Sequence, residues 1–129
     1  MTNDMLQQFK ELLVGAGLPS VVIGELPSRK IDIIAIQPVD GFASVYYFGK
    51  TSSYEPLLEV QIRNKDYRAG QDWSEIVKKT LDKYSNKAAG IDSCILTGSP
   101  GYLGSDENGF GEWHMLFHVT YFEGSGLNG

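Results

Sequence analysis

The chain has 129 residues, of which 42% are hydrophobic and 21% charged, a size and make-up that fit one globular domain and argue against a disordered segment. It carries 11 Lys and Arg against 16 Asp and Glu, a net charge of -5, which disfavours sequence-independent nucleic-acid binding because that needs cationic surface to displace counterions. No apolar run approaches the ~20 residues that cross a bilayer, and the charges mixed into residues 1–13 argue against a secretory signal.

Residues 4–16 predict an amphipathic helix, with Met5, Phe9, Leu12, Leu13 and Ala16 at helical spacing, Asn3 or Asp4 as its cap, and Gly15, Gly17 and Pro19 as its stop. Residues 20–24 suit a short strand. Residues 30–36, between Pro27 and Pro38, predict another; its adjacent Ile33 and Ile34 place apolar side chains on both faces, so it is expected to be central and covered on both sides. Residues 42–48 follow an Asp40-Gly41 turn signal and are expected to form a strand paired with it. Residues 57–63 alternate, with Leu58, Val60 and Ile62 facing one way and Glu59, Gln61 and Arg63 the other.

The strongest helix signal spans 67–85. Ala69, Trp73, Ile76, Val77, Leu81 and Tyr84 form its apolar stripe, Asp66 its cap, and Gly90 lies past its end, while Lys78, Lys79, Asp82 and Lys83 read as a solvated face. Residues 91–97 read as a strand. The stretch 98–111, rich in Gly, Ser, Asp and Asn, is expected to be a long loop. Residues 112–122 give the sharpest alternation: Trp113, Met115, Phe117, Val119 and Tyr121 on one face, Glu112, His114, Leu116, His118 and Thr120 on the other. Residues 124–129 read as a frayed tail. This order predicts a single α+β domain over 1–129, a mostly antiparallel sheet of four to five strands with two helices packed on one face.

The sequence offers little covalent chemistry. Cys94 cannot make an internal disulfide as the one cysteine, and its strand setting without a cationic neighbour reads as a small buried apolar residue in a reducing cytosol. His114 and His118 would sit side by side on a helix, but on a strand they lie ~13 Å apart and cannot chelate one ion together. The glycine-rich stretch lacks the Gly-Lys-Ser/Thr ending of a phosphate-binding loop and the ligand spacing of a calcium loop. It reads as a turn-rich segment or as a contact loop that orders on a partner. Asp32 with Glu59 outlines the carboxylate pair of a Mg²⁺-dependent nuclease of the PD-(D/E)-x-K type, with Gln61 where the lysine would stand and no Pro before Asp32. That reading, and a protein-binding module outside any virion, are the alternatives to the one that follows.

The stretch PLLEVQIRNKDYRAG, residues 56–70, is similar to the minor capsid, or tail terminator, proteins of tailed bacteriophages. Those often read as a Pro, a strand ending in a V-Q-[IV]-R-like segment, a basic residue, an Asp-Tyr and an amphipathic helix. The upstream helix, the run Val45-Tyr46-Tyr47-Phe48-Gly49 and the length also resemble that family, whereas the 98–111 stretch and the glycine-rich tail have no place in its pattern. The resemblance implies a structural subunit without catalysis, cofactor or metal that closes into a ring, typically a hexamer, at the head-proximal end of a phage tail. The ring would end polymerisation of the tail tube and join tail to head. The implied partners are further copies of the chain, the tail tube protein and a head-tail connector protein, with DNA only in transit and no membrane. The implied location is the virion, after assembly in the cytoplasm of the bacterial host. Six copies would carry about -30 around the channel, so its walls would repel phosphate and let DNA slide. Two partner surfaces are expected: the corner Arg63, Lys65, Asp66, Tyr67 and Arg68, which carries the family's motif, and the apolar residues Tyr102, Leu103 and Phe110 of the polar stretch.

Overall fold

The structure is a computed structural model and describes residues 3–39, 45–46, 52–54 and 57–122. Along the chain run α1 (Asn3–Gly15), β1 (Val21–Ile23), β2 (Ile33–Val39), β3 (Val45–Tyr46), β4 (Ser52–Tyr54), β5 (Leu57–Asn64), α2 (Tyr67–Leu81), a 3-10 turn (Lys87–Ala89), β6 (Ile91–Ser105) and β7 (Gly111–Phe122). All the strands join one sheet. Its body is five strands in the order β1-β2-β5-β7-β6, parallel between β1 and β2 and antiparallel elsewhere. The two short strands extend it: β4 continues the line of β5 along β7, pairing Ser53 with Phe122 and Tyr54 with Tyr121, and β3 pairs with β4. The expected α+β sheet with two helices is therefore present, and the expected four to five strands correspond to its body.

Alternation builds the core. Leu58, Val60 and Ile62 of β5 and Trp113, Met115, Phe117, Val119 and Tyr121 of β7 point to one face and are buried, joined there by Ile34 and Ile36 of β2. Both helices cover that face, α1 with Phe9 and Leu13, α2 with Val77 and Leu81. Each such side chain contributes ~1.5–3 kcal/mol by leaving water. The ring of Phe9 meets that of Tyr84 edge-on at 6.1 Å, tying α1 to the chain just after α2. As expected, β2 is covered on both sides: Ile33 and Ala35, on the opposite face from Ile34 and Ile36, are also buried.

Several boundaries differ from the sequence expectations. Val45–Tyr46 pairs with β4 and not with β2, whose antiparallel neighbour is β5; the rest of the expected 42–48 strand lies outside the described residues. In α1, Leu6 is buried and Ala16, just past the helix end, is exposed. The second helix ends at Leu81 and not at 85 because β6 takes over its polar groups. The carboxylate of Asp82 accepts the N–H of Leu96 at 2.9 Å, the N–H of Lys83 is donated to the carbonyl of Cys94 at 2.6 Å, and Lys83 sits at φ 68. Gly90, expected past the end of that helix, instead closes the 3-10 turn in the left-handed region at φ 86.

The largest correction concerns 98–111. It is the tip of a long hairpin: β6 runs on to Ser105, β7 begins at Gly111, and only five residues turn between them. Alternation was lost from the sequence because the pairing with β7 shifts register between Thr97 and Gly101 and again between Tyr102 and Gly104, where Gly104 takes φ 110. The expected tail at 124–129 lies outside the described residues.

Candidate functional site

The junction between β5 and α2 is built by short polar side chains. Asn64 Oδ1 accepts the N–H of Asp66 at 2.8 Å, and Asp66 Oδ1 accepts that of Arg68 at 3.1 Å, so Asp66 caps α2 as its sequence position predicts. The carboxylate of Asp32, at the approach to β2, accepts the N–H of Lys65 at 2.8 Å and fixes the corner against the neighbouring strand. Lys65, Asp66, Tyr67 and Arg68 are all left exposed.

The hairpin tip is organised by one carboxylate. Asp106 Oδ1 accepts the N–H groups of Asn108 at 2.8 Å and Phe110 at 3.0 Å, Gly109 closes the turn at φ 84, and Asp106 Oδ2 lies 2.9 Å from Lys30 Nζ. The hydrogen bond from Lys30, with those from Phe110 and Asn108, holds this carboxyl below the usual carboxylate range.

Tertiary pairing brings the two expected surfaces together. Tyr102 pairs across the hairpin with Trp113, and α2 packs its first turn over the same place. The Tyr67 and Tyr102 rings meet edge-on at 5.0 Å, and the Trp113 ring lies 5.7 Å from Tyr67 and 5.0 Å from Tyr102. Trp113 is buried under them, its indole N–H donating to Gln71 Oε1 at 2.9 Å. Tyr67 and Tyr102 are 55% and 43% exposed and Leu103 is 66% exposed, so apolar surface is held out to water on a rigid base. The Lys65 ammonium sits 5.8 Å from the centre of the half-buried Phe110 ring. Contacts thus join Tyr67 to Tyr102 and Lys65 to Phe110, with Asp66, Arg68 and Leu103 exposed next to them in the chain.

Arg63 is placed differently. It is only 5% exposed, lies on the sheet face away from the helices, and donates from Nη1 to the carbonyls of Pro27 at 2.8 Å and Arg29 at 3.3 Å. Its Nε reaches Glu112 Oε2 at 3.4 Å. These bonds strap the segment before β2 onto the sheet. Trp113 and Gln71, which support the patch from below, were not singled out by sequence reasoning, because a strand tryptophan on a core face carries no local signal of what it props up.

Besides the apolar Ile33, Ala35 and Ile95, that sheet face carries polar side chains. Glu59 accepts from Gln37 Nε2 at 2.8 Å and pairs with His114 Nε2 at 2.8 Å. Asp32 is far from this pair: Glu59 stands opposite Gln37, five residues along the strand direction, or ~16 Å. The carboxylates of the nuclease reading therefore do not converge. Among the described residues no three His, Cys, Asp or Glu side chains gather as metal ligands. Burial, with the nearby Asp82 charge, pushes the Cys94 thiol up to about 12, far from a reactive thiolate. Among the described residues no helix is long and apolar enough to cross a membrane.

The exposed Tyr67 and Tyr102 rings thus lie over an anchored tryptophan at one end of a small sheet that carries helices on one face. Residues 5–122 match the family of the bacteriophage tail terminator protein. The chain belongs to that family, a structural protein of the phage tail. Among solved structures it is similar to a chain from the virion of a native gene transfer agent particle, at 7% sequence identity and a TM-score of 0.57, over 89% of this chain and 92% of that one. That likeness is one of fold. No curated protein matches the chain.

Proposed function

We propose that the protein forms a closed ring, of six copies by resemblance to its family, that seats on the end of a phage tail tube, stops its growth and offers its far side to a head-tail connector protein. The observation that carries the reading is the pair of exposed rings Tyr67 and Tyr102 over Trp113, with the exposed Leu103 next along β6 and the Lys65–Phe110 contact beside α2's start. Two segments 35 residues apart in the chain contribute to it. Rigid aromatic anchors with a charged rim are the side chains that give protein interfaces most of their binding energy. Family membership supports the tail location, and the net charge of -5 per copy suits a channel through which DNA passes without sticking. The ring is assembled in the host cytoplasm before the virion is complete, and no step of this role needs catalysis or a cofactor.

The test is assembly. Purified protein added to polymerising tail tube protein is expected to cap the tubes and shorten them, with rings visible at the ends in negative stain. Tyr67→Ala and Leu103→Asp are expected to keep the circular dichroism of the parent and lose capping. Tubes of unchanged length at saturating wild-type protein would overturn the reading.

A further inference from the structure

Asn108 and Gly109 form an Asn-Gly pair at the tip of the β6–β7 hairpin, and both are exposed. Asparagine is among the thermally labile side chains. A following glycine makes it more so, because no Cβ shields the next peptide nitrogen from the carboxamide. The reaction needs no enzyme. The Gly109 nitrogen gives up its proton to water or hydroxide and bonds to Asn108 Cγ, the carboxamide nitrogen leaves as ammonia, and a five-membered succinimide remains. Water then opens that ring at either carbonyl. One opening gives aspartate; the other gives isoaspartate, with the main chain rerouted through Cβ and Cγ.

The fold acts on each group that takes part. The attacking nitrogen is engaged: the N–H of Gly109 is donated to the carbonyl of Asp106 at 3.0 Å. The residues on either side of it are pinned to one atom, Asp106 Oδ1, which accepts the N–H of Asn108 at 2.8 Å and that of Phe110 at 3.0 Å. The N–H of Asp106 is in turn donated to the carbonyl of Phe110 at 2.9 Å, closing the turn from the other side. Ring closure must swing the peptide between 108 and 109 out of this frame and take the proton that Gly109 donates. The same carboxylate is steadied from outside the hairpin, since its Oδ2 lies 2.9 Å from Lys30 Nζ. Asn64 and Asn86 differ: each is followed by a lysine, and each has its Oδ1 engaged, by the N–H of Asp66 and of Ala89.

We infer that Asn108 is a site of spontaneous succinimide formation, and that the Asp106 carboxylate, steadied by Lys30, is the positioning group that holds the reaction back in the folded chain. This goes beyond the ring reading and does not depend on it, because it concerns the lifetime of the hairpin tip whatever the tip contacts. The change is one-way. An isoaspartyl residue sets one more main-chain atom between the two N–H groups that converge on Asp106 Oδ1, so the same turn cannot re-form.

Peptide mapping by mass spectrometry tests this in the full-length protein, by following ammonia loss and isoaspartate at Asn108 during incubation at mildly alkaline pH. The samples are the folded parent, the parent in guanidinium chloride, Asp106→Ala and Asp106→Asn. The folded parent is expected to react on the order of tenfold more slowly than the unfolded chain, the scale set by two hydrogen bonds that must open first. Asp106→Ala is expected to approach the unfolded rate while keeping the circular dichroism of the parent, and Asp106→Asn, which retains an Oδ1 acceptor, to stay close to the parent. Equal rates in the folded and unfolded parent would overturn the inference, as would an unreactive Asn108 in the unfolded chain or a folded Asp106→Ala as slow as the parent. Lys30→Gln, on the exposed side of the ion pair, keeps the test decisive should Asp106→Ala fail to fold. Its rate is expected between those of the folded and unfolded parent, and the folded parent's rate there would equally overturn the inference.

Discussion

Replacing Gly70 with Ala probes the support under the patch. Gly70 sits in the first turns of α2 and is buried against the indole of Trp113. A methyl built on it would fall inside the van der Waals envelope of Trp113 Cη2 and Cζ3 and only 2.8 Å from Cζ2. The indole has little room to yield. It is 1% exposed, its N–H is held by Gln71 at 2.9 Å, and the Tyr67 and Tyr102 rings flank it at 5.7 and 5.0 Å. Two effects oppose each other. Ala is favoured over Gly inside a helix by ~1 kcal/mol. Overfilling a packed site costs ~1–3 kcal/mol and sometimes more. Contact with a fixed aromatic ring belongs at the upper end, so the net loss is ~1–2 kcal/mol. For a chain of this length the entropy of unfolding converts that to a fall in melting temperature of ~4–8 °C. Thermal unfolding followed by circular dichroism measures it. Tryptophan emission should shift as well, because the ring must tilt out toward Tyr67 and Tyr102. A melting temperature equal to or above that of the parent would refute the reasoning, since helix propensity would then outweigh the supposed clash.

Three further outcomes follow from the geometry. Arg63→Ala removes the donors to Pro27 and Arg29 and leaves Glu112 without its cation; with the site nearly closed to water the cost is ~2–4 kcal/mol, and limited proteolysis should cut the chain within residues 24–32 far faster than in the parent. The Asp106 carboxyl is held below its ordinary value by Lys30 and the turn amides, so its stabilisation of the hairpin tip is present above the unfolded value and is lost as pH falls through the folded one. Protection of the Asn108 and Phe110 amides, taken relative to the intrinsic exchange rate at each pH, should fall at acid pH in the parent and be low already at neutral pH in Asp106→Ala. Cys94 has the opposite sign. Its thiol, raised from 9.0 to about 12, contributes stability that is complete below 9.0 and lost as pH rises toward the folded value, so iodoacetamide at pH 8 should label the unfolded chain and leave the folded one unmodified.

What the sequence by itself determined is the set of locally periodic elements. The alternation of Leu58, Val60 and Ile62, and of Trp113 through Tyr121, fits only a strand with one buried face. The adjacency of Ile33 and Ile34 marked β2 as covered on both sides, and Asp66 marked the start of α2. The motif at 56–70 was enough to point to the family to which the chain belongs. The tertiary structure alone decided the rest, because pairing partners and bulges leave no local trace. Thr97 to Gly104 reads as a loop until β7 supplies the hydrogen bonds that hold an irregular strand beside it. The end of α2 depends on Asp82 meeting Leu96 across the fold. Arg63 and Tyr67 are four residues apart in one motif, yet the pleat and the helix start send the first to the sheet's far face and the second to the patch, where only folding brings it against Tyr102.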